Sequence, residues 1–452
     1  MPPSHGALNR LASDALIREF ERATPKSRAL FEKSVACLPG GNTRATVFYD
    51  PYPIYLDRGD GCRVTDVDGT TRLDFNNNYT TLLLGHNNRA VAEAVRAQLE
   101  KGAAFGGPTA LEEALASRLC QRFRTIERVR FCSTGTEANM NCVRAARAFT
   151  GRSKVGKFLG HFHGSAEHME VSIFPSLDEV GDPAHPKSVA SSPGIPDGVL
   201  GDVVTLPFND SPHVEEIVRA NCKDLAAVIV EPVAGGGAIT PKGGFLRDLR
   251  RICTENDVLL ICDEVMMSRL AYGGAQDFFG IQADLTALGK TIGGGVPIGA
   301  FGGRADIMKL FDPAQGGPQV RHSGTHSGNP LALAAGVAAL DQMTPDLYPR
   351  LNALGDRVRG GLREIFAEMG VSAQVTGAGS VFSVHFTDEE VWDYPAYART
   401  EKKALAKMFL GWLLSGVFMM SRGLGCLSAP MTEADIDEFL QRTKDLLARG
   451  IR

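Results

Sequence analysis

The sequence predicts an α/β fold: a mostly parallel sheet flanked by helices, joined to a smaller α+β domain. Three observations carry this. Short apolar runs alternate with helical patterns through the middle of the chain. A strand, helix, strand succession is explicit between residues 129 and 159, and parallel neighbours need such a crossover. After about residue 335 the texture changes to helix-rich segments with few strands.

In chain order, residues 1–70 hold two short helical patterns and the run IYLDRGDGCRVTDVDGTTRLDF, a strand meander turning at Asp68-Gly69. This segment is expected to pack with the C-terminal part. Residues 71–334 form the expected large domain, with strands at 129–132, 154–159, 226–230, 258–263, 285–288 and 297–302. Between the first two lies a helix over 137–150, with Ala138, Cys142, Ala145 and Phe149 on one face and Gly151 as its stop. Residues 335–452 form the expected small domain. Within it MFLGWLLSGVFMM, residues 408–420, falls short of the roughly 18 apolar residues of a membrane span, so it reads as a buried helix running into a strand. The last helix opens at TEADIDEFL, where Thr432 and Asp435 form a cap.

Composition narrows the function classes. A chain of 452 residues with 44% hydrophobic content can bury a sizeable core. A net charge of −4 leaves no basic footprint for nucleic acid. Nine cysteines without CxxC spacing suggest neither a disulfide framework nor a zinc knuckle, and fit a reducing cytoplasm. The polar N-terminus lacks the apolar stretch of an export signal.

Several chemistry-bearing residues stand where strands of an open α/β sheet end, the place where such folds bind ligands. Ser133-Thr134-Gly135-Thr136-Glu137 lies between a strand and a helix N-terminus; it is either an ordinary cap or a phosphate turn built from free N–H groups and hydroxyls. Asp263 closes the apolar run VLLICDEV, where an acid needs a partner: a helix cap, Arg269, or a protonated heterocyclic nitrogen. Lys290 follows an apolar strand and precedes three glycines. It is either a solvated loop lysine or an amine held deprotonated or consumed in a Schiff base. Gly160-His161-Phe162-His163-Gly164 offers an aromatic for a flat ring, and its two imidazoles are too few for a zinc site, so no metal is expected. Gly151 to Phe158 imitates a P-loop, but Phe158 stands where magnesium needs a hydroxyl, and the motif precedes a strand rather than a helix.

Together and in this order, these motifs resemble those of class III pyridoxal-phosphate aminotransferases, which share the type I aminotransferase fold. The similarity runs over nearly the whole chain and is greatest to β-phenylalanine aminotransferases, with glutamate-1-semialdehyde aminomutase more distant. The resemblance implies that pyridoxal phosphate forms a Schiff base with Lys290 and that Asp263 pairs with its ring nitrogen. It implies that Gly135 and Thr136 hold the phosphate, with Thr134 where the family more often has serine. Phe162 would stack on one face of the ring and Val265 on the other. Thr325, in HSGTHSGNP, would reach the phosphate of the neighbouring subunit, which implies a homodimer with shared sites.

Arg44, in GGNTRATVFYD, matches the arginine that takes the carboxylate of a β-amino acid, and Arg422, in SRGLGCLSAP, the one for the α-carboxylate of an oxo acid. Guanidinium suits carboxylate bidentately, although either residue alone also reads as a surface ion pair. One departure is plain. Gly236, in EPVAGG, stands where many ω-aminotransferases carry a glutamate that gates the arginine. The implied activity is ping-pong transfer of an amino group from an aromatic or hydrophobic β-amino acid to 2-oxoglutarate or pyruvate. An aminomutase or racemase on the same cofactor is the alternative. Neither nucleic acid nor membrane is an expected partner.

Overall fold

The structure, a computed structural model, describes residues 14–314 and 317–451. Of the polar start of the chain, read as carrying no export signal, the first 13 residues lie outside them. The described chain forms two compact units. One comprises residues up to Asn88, Arg350–Val391 and the chain from Arg399 onward; the other comprises Arg89–Pro349 and Trp392–Ala398. These boundaries lie further along the chain than the 70/71 and 334/335 divisions expected from sequence. His86 pairs back onto Gly61 of the meander, which keeps it with the first unit. The helix Pro330–Gln342 packs on Arg89–Lys101 and Ala110–Arg122, which keeps it with the second.

The first unit opens with the helices Asp14–Ala23 and Pro25–Ser34, followed by the meander β1 (Leu56–Asp60), β2 (Arg63–Asp66) and β3 (Thr71–Asp74), antiparallel throughout and extended by Val417–Phe418 running parallel to β3. A second sheet pairs Val381–Phe386 with Ala373–Thr376 and Leu424–Cys426. The apolar stretch at 408–420 is a buried helix, Lys402–Leu414, that runs into Val417–Phe418 as expected. Trp412 Nε1 donates to Thr443 Oγ1 at 2.9 Å, so even its polar atom is satisfied. Among the described residues no helix is long and apolar enough to cross a membrane. Thr432 and Asp435 form the reciprocal capping box read from the sequence.

The second unit is built on a seven-stranded sheet among the described residues: β4 (Arg128–Cys132), β5 (Lys154–Phe158), β6 (Val203–Leu206), β7 (Leu225–Val230), β8 (Leu259–Asp263), β9 (Leu285–Gly289) and β10 (Gly299–Gly303). Their order is β4-β10-β9-β8-β7-β5-β6, with β10 antiparallel to both neighbours and β5 to β9 parallel. All six candidate strands are present, with ends shifted by at most two residues. β7 to β10 are buried at every position, because helices cover both faces of a parallel sheet and no solvent face selects for alternation. Helix α1 (Gly135–Thr150) packs on β9 and β10 and ends at Gly151, whose φ of 69° closes it in the left-handed conformation.

Candidate active site

The sheet places its chemistry at the carboxyl ends of β4, β5, β7, β8 and β9. Asp263 ends β8 in a buried position, where its carboxylate accepts three hydrogen bonds. Oδ2 takes the Asn139 amide at 2.7 Å and His163 Nδ1 at 2.8 Å, and Oδ1 takes the Val265 N–H at 3.0 Å. Burial holds the His163 pKa below its ordinary value, so the imidazole donates without bringing a charge. The partners that hold Asp263 are therefore neutral, and its negative charge stays available to a cation. Val265 Cγ1 would meet a Cβ on Gly135 at 2.8 Å and one on Gly289 at 3.4 Å, so the turn before α1, the end of β8 and the end of β9 converge. Lys290 follows Gly289 at φ 49°, left-handed backbone that a non-glycine residue rarely adopts.

The 133–137 turn is a helix cap, the first of its two readings. Thr134 Oγ1 accepts from Glu137 N at 3.1 Å and Glu137 accepts from Ser133 N at 2.8 Å. Thr136 Oγ1 accepts from Ser165 N at 3.2 Å. Each hydroxyl keeps its own proton to donate. The N–H groups of Gly135 and Thr136, in the first turn of α1, have no intrahelical acceptor. Together with the helix dipole they suit a phosphate.

Beneath this turn lies a buried group of titratable residues. Glu231, just past β7, accepts the Phe162 N–H at 2.8 Å and the Gly235 N–H at 3.2 Å, and its N–H donates to His161 Nδ1 at 3.2 Å. Burial, reinforced by Asp263, pushes the Glu231 carboxyl up to about 8. Lys157, on β5, donates to the carbonyls of His161 at 2.9 Å and Val171 at 2.6 Å, and burial pushes its amine down to about 7. The P-loop look-alike is thus a buried strand whose lysine ties down the loop that follows.

Of the residues singled out from sequence, Thr134, Gly135, Thr136, Phe162, Asp263, Val265 and Lys290 meet at these strand ends. Phe162 is 44% exposed, its ring open to a partner while its N–H is fixed by Glu231. Thr325 lies exposed before Pro330–Gln342. Arg44 and Arg422 belong to the other unit. Arg44 Nη1 donates to Asn78 Oδ1 at 3.0 Å, and Arg422 sits in the turn before Leu424–Cys426. Sequence reasoning missed Asn139, Glu231 and Lys157 as parts of the site, and gave His163 no role beyond judging its imidazole and that of His161 too few for a metal. A polar Asn139 on the helix face that also carries Cys142, Val143 and Ala146 was the available signal.

A family model, Aminotransferase class-III, matches residues 45–444. The chain belongs to the class-III aminotransferases. This class-III aminotransferase is 38% identical over 421 residues to a glutamate-1-semialdehyde 2,1-aminomutase of Methanococcoides burtonii, covering 92% of this chain and 97% of that one. It superposes on an omega-transaminase from Sphaerobacter thermophilus with a TM-score of 0.90 at 40% identity, covering 93% and 97% of the two chains. It superposes on a β-phenylalanine aminotransferase from Variovorax paradoxus with a TM-score of 0.87 at 36% identity, covering 98% of each.

The enzyme is of the pyridoxal-phosphate-dependent kind, and the residues present fit that cofactor. A buried carboxylate held only by neutral donors suits a protonated ring nitrogen. A helix start with spare N–H groups suits a phosphate, and Gly135, having no side chain, lets Val265 pack directly against that turn. Gly236 also gains a reason: a Cβ there would meet Phe174 Cε1 at 2.6 Å and the Gly160 carbonyl at 3.1 Å, so the position has no room for a gating glutamate.

Proposed function

We propose that this enzyme is a transaminase that moves an amino group from an aromatic or hydrophobic β-amino acid to a 2-oxo acid such as 2-oxoglutarate or pyruvate, by a ping-pong mechanism. Bound cofactor supplies an electron sink. Lys290 holds it covalently and, once released, its Nζ moves the proton taken from the amine-bearing carbon of the substrate. Asp263 keeps a proton on the ring nitrogen. Gly135 and Thr136, with Thr134, hold the phosphate; Phe162 and Val265 bracket the ring. Arg44 takes the donor carboxylate and Arg422 the α-carboxylate of the oxo acid. Thr325 completes the phosphate site of the partner subunit, giving a homodimer. Nine cysteines, all free thiols, support a cytoplasmic setting.

The observation that carries the donor assignment is Arg44 itself. It is held by the neutral Asn78 amide and by the face of Tyr79, 5.4 Å from the ring centroid, and among the described residues no carboxylate pairs with it. Its charge is open to the acid group of a substrate. The two half-reactions, followed separately in the cofactor spectrum, test the reading. Turnover of the cofactor by β-phenylalanine and its restoration by 2-oxoglutarate or pyruvate are expected; activity confined to α-amino acids or simple amines would defeat it. The second reading, an aminomutase, is favoured by the 38% identity to the Methanococcoides enzyme. It predicts interconversion of an amino aldehyde without any added oxo acid.

A further inference from the structure

Four consecutive non-glycine residues after β3 adopt left-handed backbone: Asn77, Asn78, Tyr79 and Thr80, with φ of 47°, 47°, 54° and 73°. Each such residue is strained and persists only where its surroundings over-determine it. Here they do. Asp74 Oδ1 accepts the N–H groups of Asn76 and Asn77 at 2.7 and 2.9 Å. The Asn77 amide donates to the carbonyls of Asp74 and Cys426 at 3.0 and 2.9 Å, and Asn76 Oδ1 accepts the Tyr79 N–H at 2.7 Å.

The turn fastens one loop. Arg44 donates to Asn78, its guanidinium covers the Tyr79 ring, and the Tyr79 hydroxyl donates to the Thr46 carbonyl. On the loop's own side, Asn42 Oδ1 accepts the Arg44 N–H at 2.9 Å. The holder of the guanidinium is neutral, whereas several other arginines of this chain are held by carboxylates. Arg63 pairs with Asp435 and Glu438, Arg118 with Asp341, and Arg304 with Asp306. A guanidinium fixed by an amide and an aromatic face keeps its whole charge and its remaining N–H donors for an anion.

We propose that Asn78 is a positioning residue for donor specificity, holding the Arg44 guanidinium in place and uncompensated so that it receives the substrate carboxylate. This rests on the role assigned to Arg44 above. Asparagine suits the task twice: it tolerates left-handed backbone better than most side chains, and its short amide accepts from arginine without a charge.

The test is equilibrium binding of 3-phenylpropanoate, a carboxylate without the amine, to the cofactor-loaded enzyme by calorimetry, together with the half-reactions of β-phenylalanine and 2-oxoglutarate. Asn78→Gly keeps the positive φ without steric cost and removes only the amide. It is expected to weaken 3-phenylpropanoate and raise the donor KM by about five- to ten-fold, with the limiting donor rate within about two-fold and the oxo-acid half-reaction affected far less. Asn78→Asp preserves an acceptor but neutralises Arg44, and should weaken binding too; wild-type affinity in that variant overturns the need for a neutral holder. In an Arg44→Ala background, Asn78→Gly should add nothing, and independent additive losses overturn the proposal. Weakened binding in Arg44→Ala with none in Asn78→Gly removes Asn78 and leaves Arg44 standing. Unchanged binding in Arg44→Ala removes both.

Discussion

His163 Nδ1 lies 2.8 Å from Asp263 Oδ2, and the same oxygen accepts the Asn139 amide at 2.7 Å. A buried carboxylate is thereby aimed by two donors from different elements, one on the loop after β5 and one on α1. Neither adds charge, so the acid's full negative charge serves whatever cation it faces.

Asp263→Asn keeps the shape of that group but loses the charge that, in the role proposed for it, keeps a proton on the cofactor ring. Cofactor retention should stay near wild type while turnover falls on the order of a hundred-fold or more, about 3 kcal/mol of transition-state stabilisation. Absorbance of the purified variant and its steady-state rate separate the two effects, and near-normal turnover would remove Asp263 from the chemistry.

Asn139→Leu takes one donor from the same oxygen without emptying the space. Leaving a buried acceptor short of a partner costs about 1–3 kcal/mol. The variant should melt lower than wild type as apoprotein and lose cofactor faster on dialysis. An unchanged melting temperature and unchanged retention would show that His163 and the Val265 N–H suffice.

Lys290 is expected to carry the cofactor covalently. Borohydride reduction and peptide mapping should tag Lys290, and Lys290→Ala should hold the cofactor only reversibly. A tag on Lys157, the buried lysine near the same loop, would overturn the assignment.

Glu231 makes stability depend on pH with a definite sign. Its folded pKa of about 8 lies above the ordinary 4.5, so between those values the folded chain binds more protons than the unfolded one and stability falls as pH rises. Glu231→Gln should therefore gain on wild type from pH 5 to pH 8, by up to about 1.4 kcal/mol for each unit inside the window. Lys157, pushed down to about 7 from 10.5, acts in the opposite sense: stability rises with pH between those values, and Lys157→Met should remove that rise. Thermal melts of the apoproteins across pH 5 to 10 check both signs.

Gly135→Ala puts a methyl group 2.8 Å from Val265 Cγ1, closer than real contacts come. Val265 must shift toward the space a cofactor ring would take. Cofactor affinity should fall by roughly ten-fold, about 1–3 kcal/mol of overpacking, with the apoprotein fold intact by circular dichroism. Unaltered affinity would mean that Val265 does not border the ring.

The strands were legible because β7, β8 and β9 are buried on both faces and so read as unbroken apolar runs. Lys290 and Asp263 were legible for the same reason, each being a charge that ends such a run. The supports were not. His163 lies 100 residues from Asp263 and Asn139 lies 124 away, and no local spacing announces a pairing across a crossover. Gly236 was visible as a departure, but its cause, the Phe174 ring against it, is a tertiary fact. The left-handed turn Asn77–Thr80 contains no glycine to advertise it, and its two asparagines are a weak sign of so unusual a backbone.

The ladder between β8 and β9 pairs Ile261 with Leu285, Cys262 with Thr286 and Asp263 with Ala287, so the acid and the lysine three residues beyond Ala287 are spaced by hydrogen-bond register. Side chains alternate faces along a strand, and a slip of one residue would send Asp263 away from Asn139 and His163 while the sheet kept its full count of backbone bonds. A misaligned refolding product would look native in its helix content and still be colourless. The yellow of the bound cofactor, recovered after denaturation, is thus a visible gauge of strand alignment in the middle of that sheet, independent of how much secondary structure has returned.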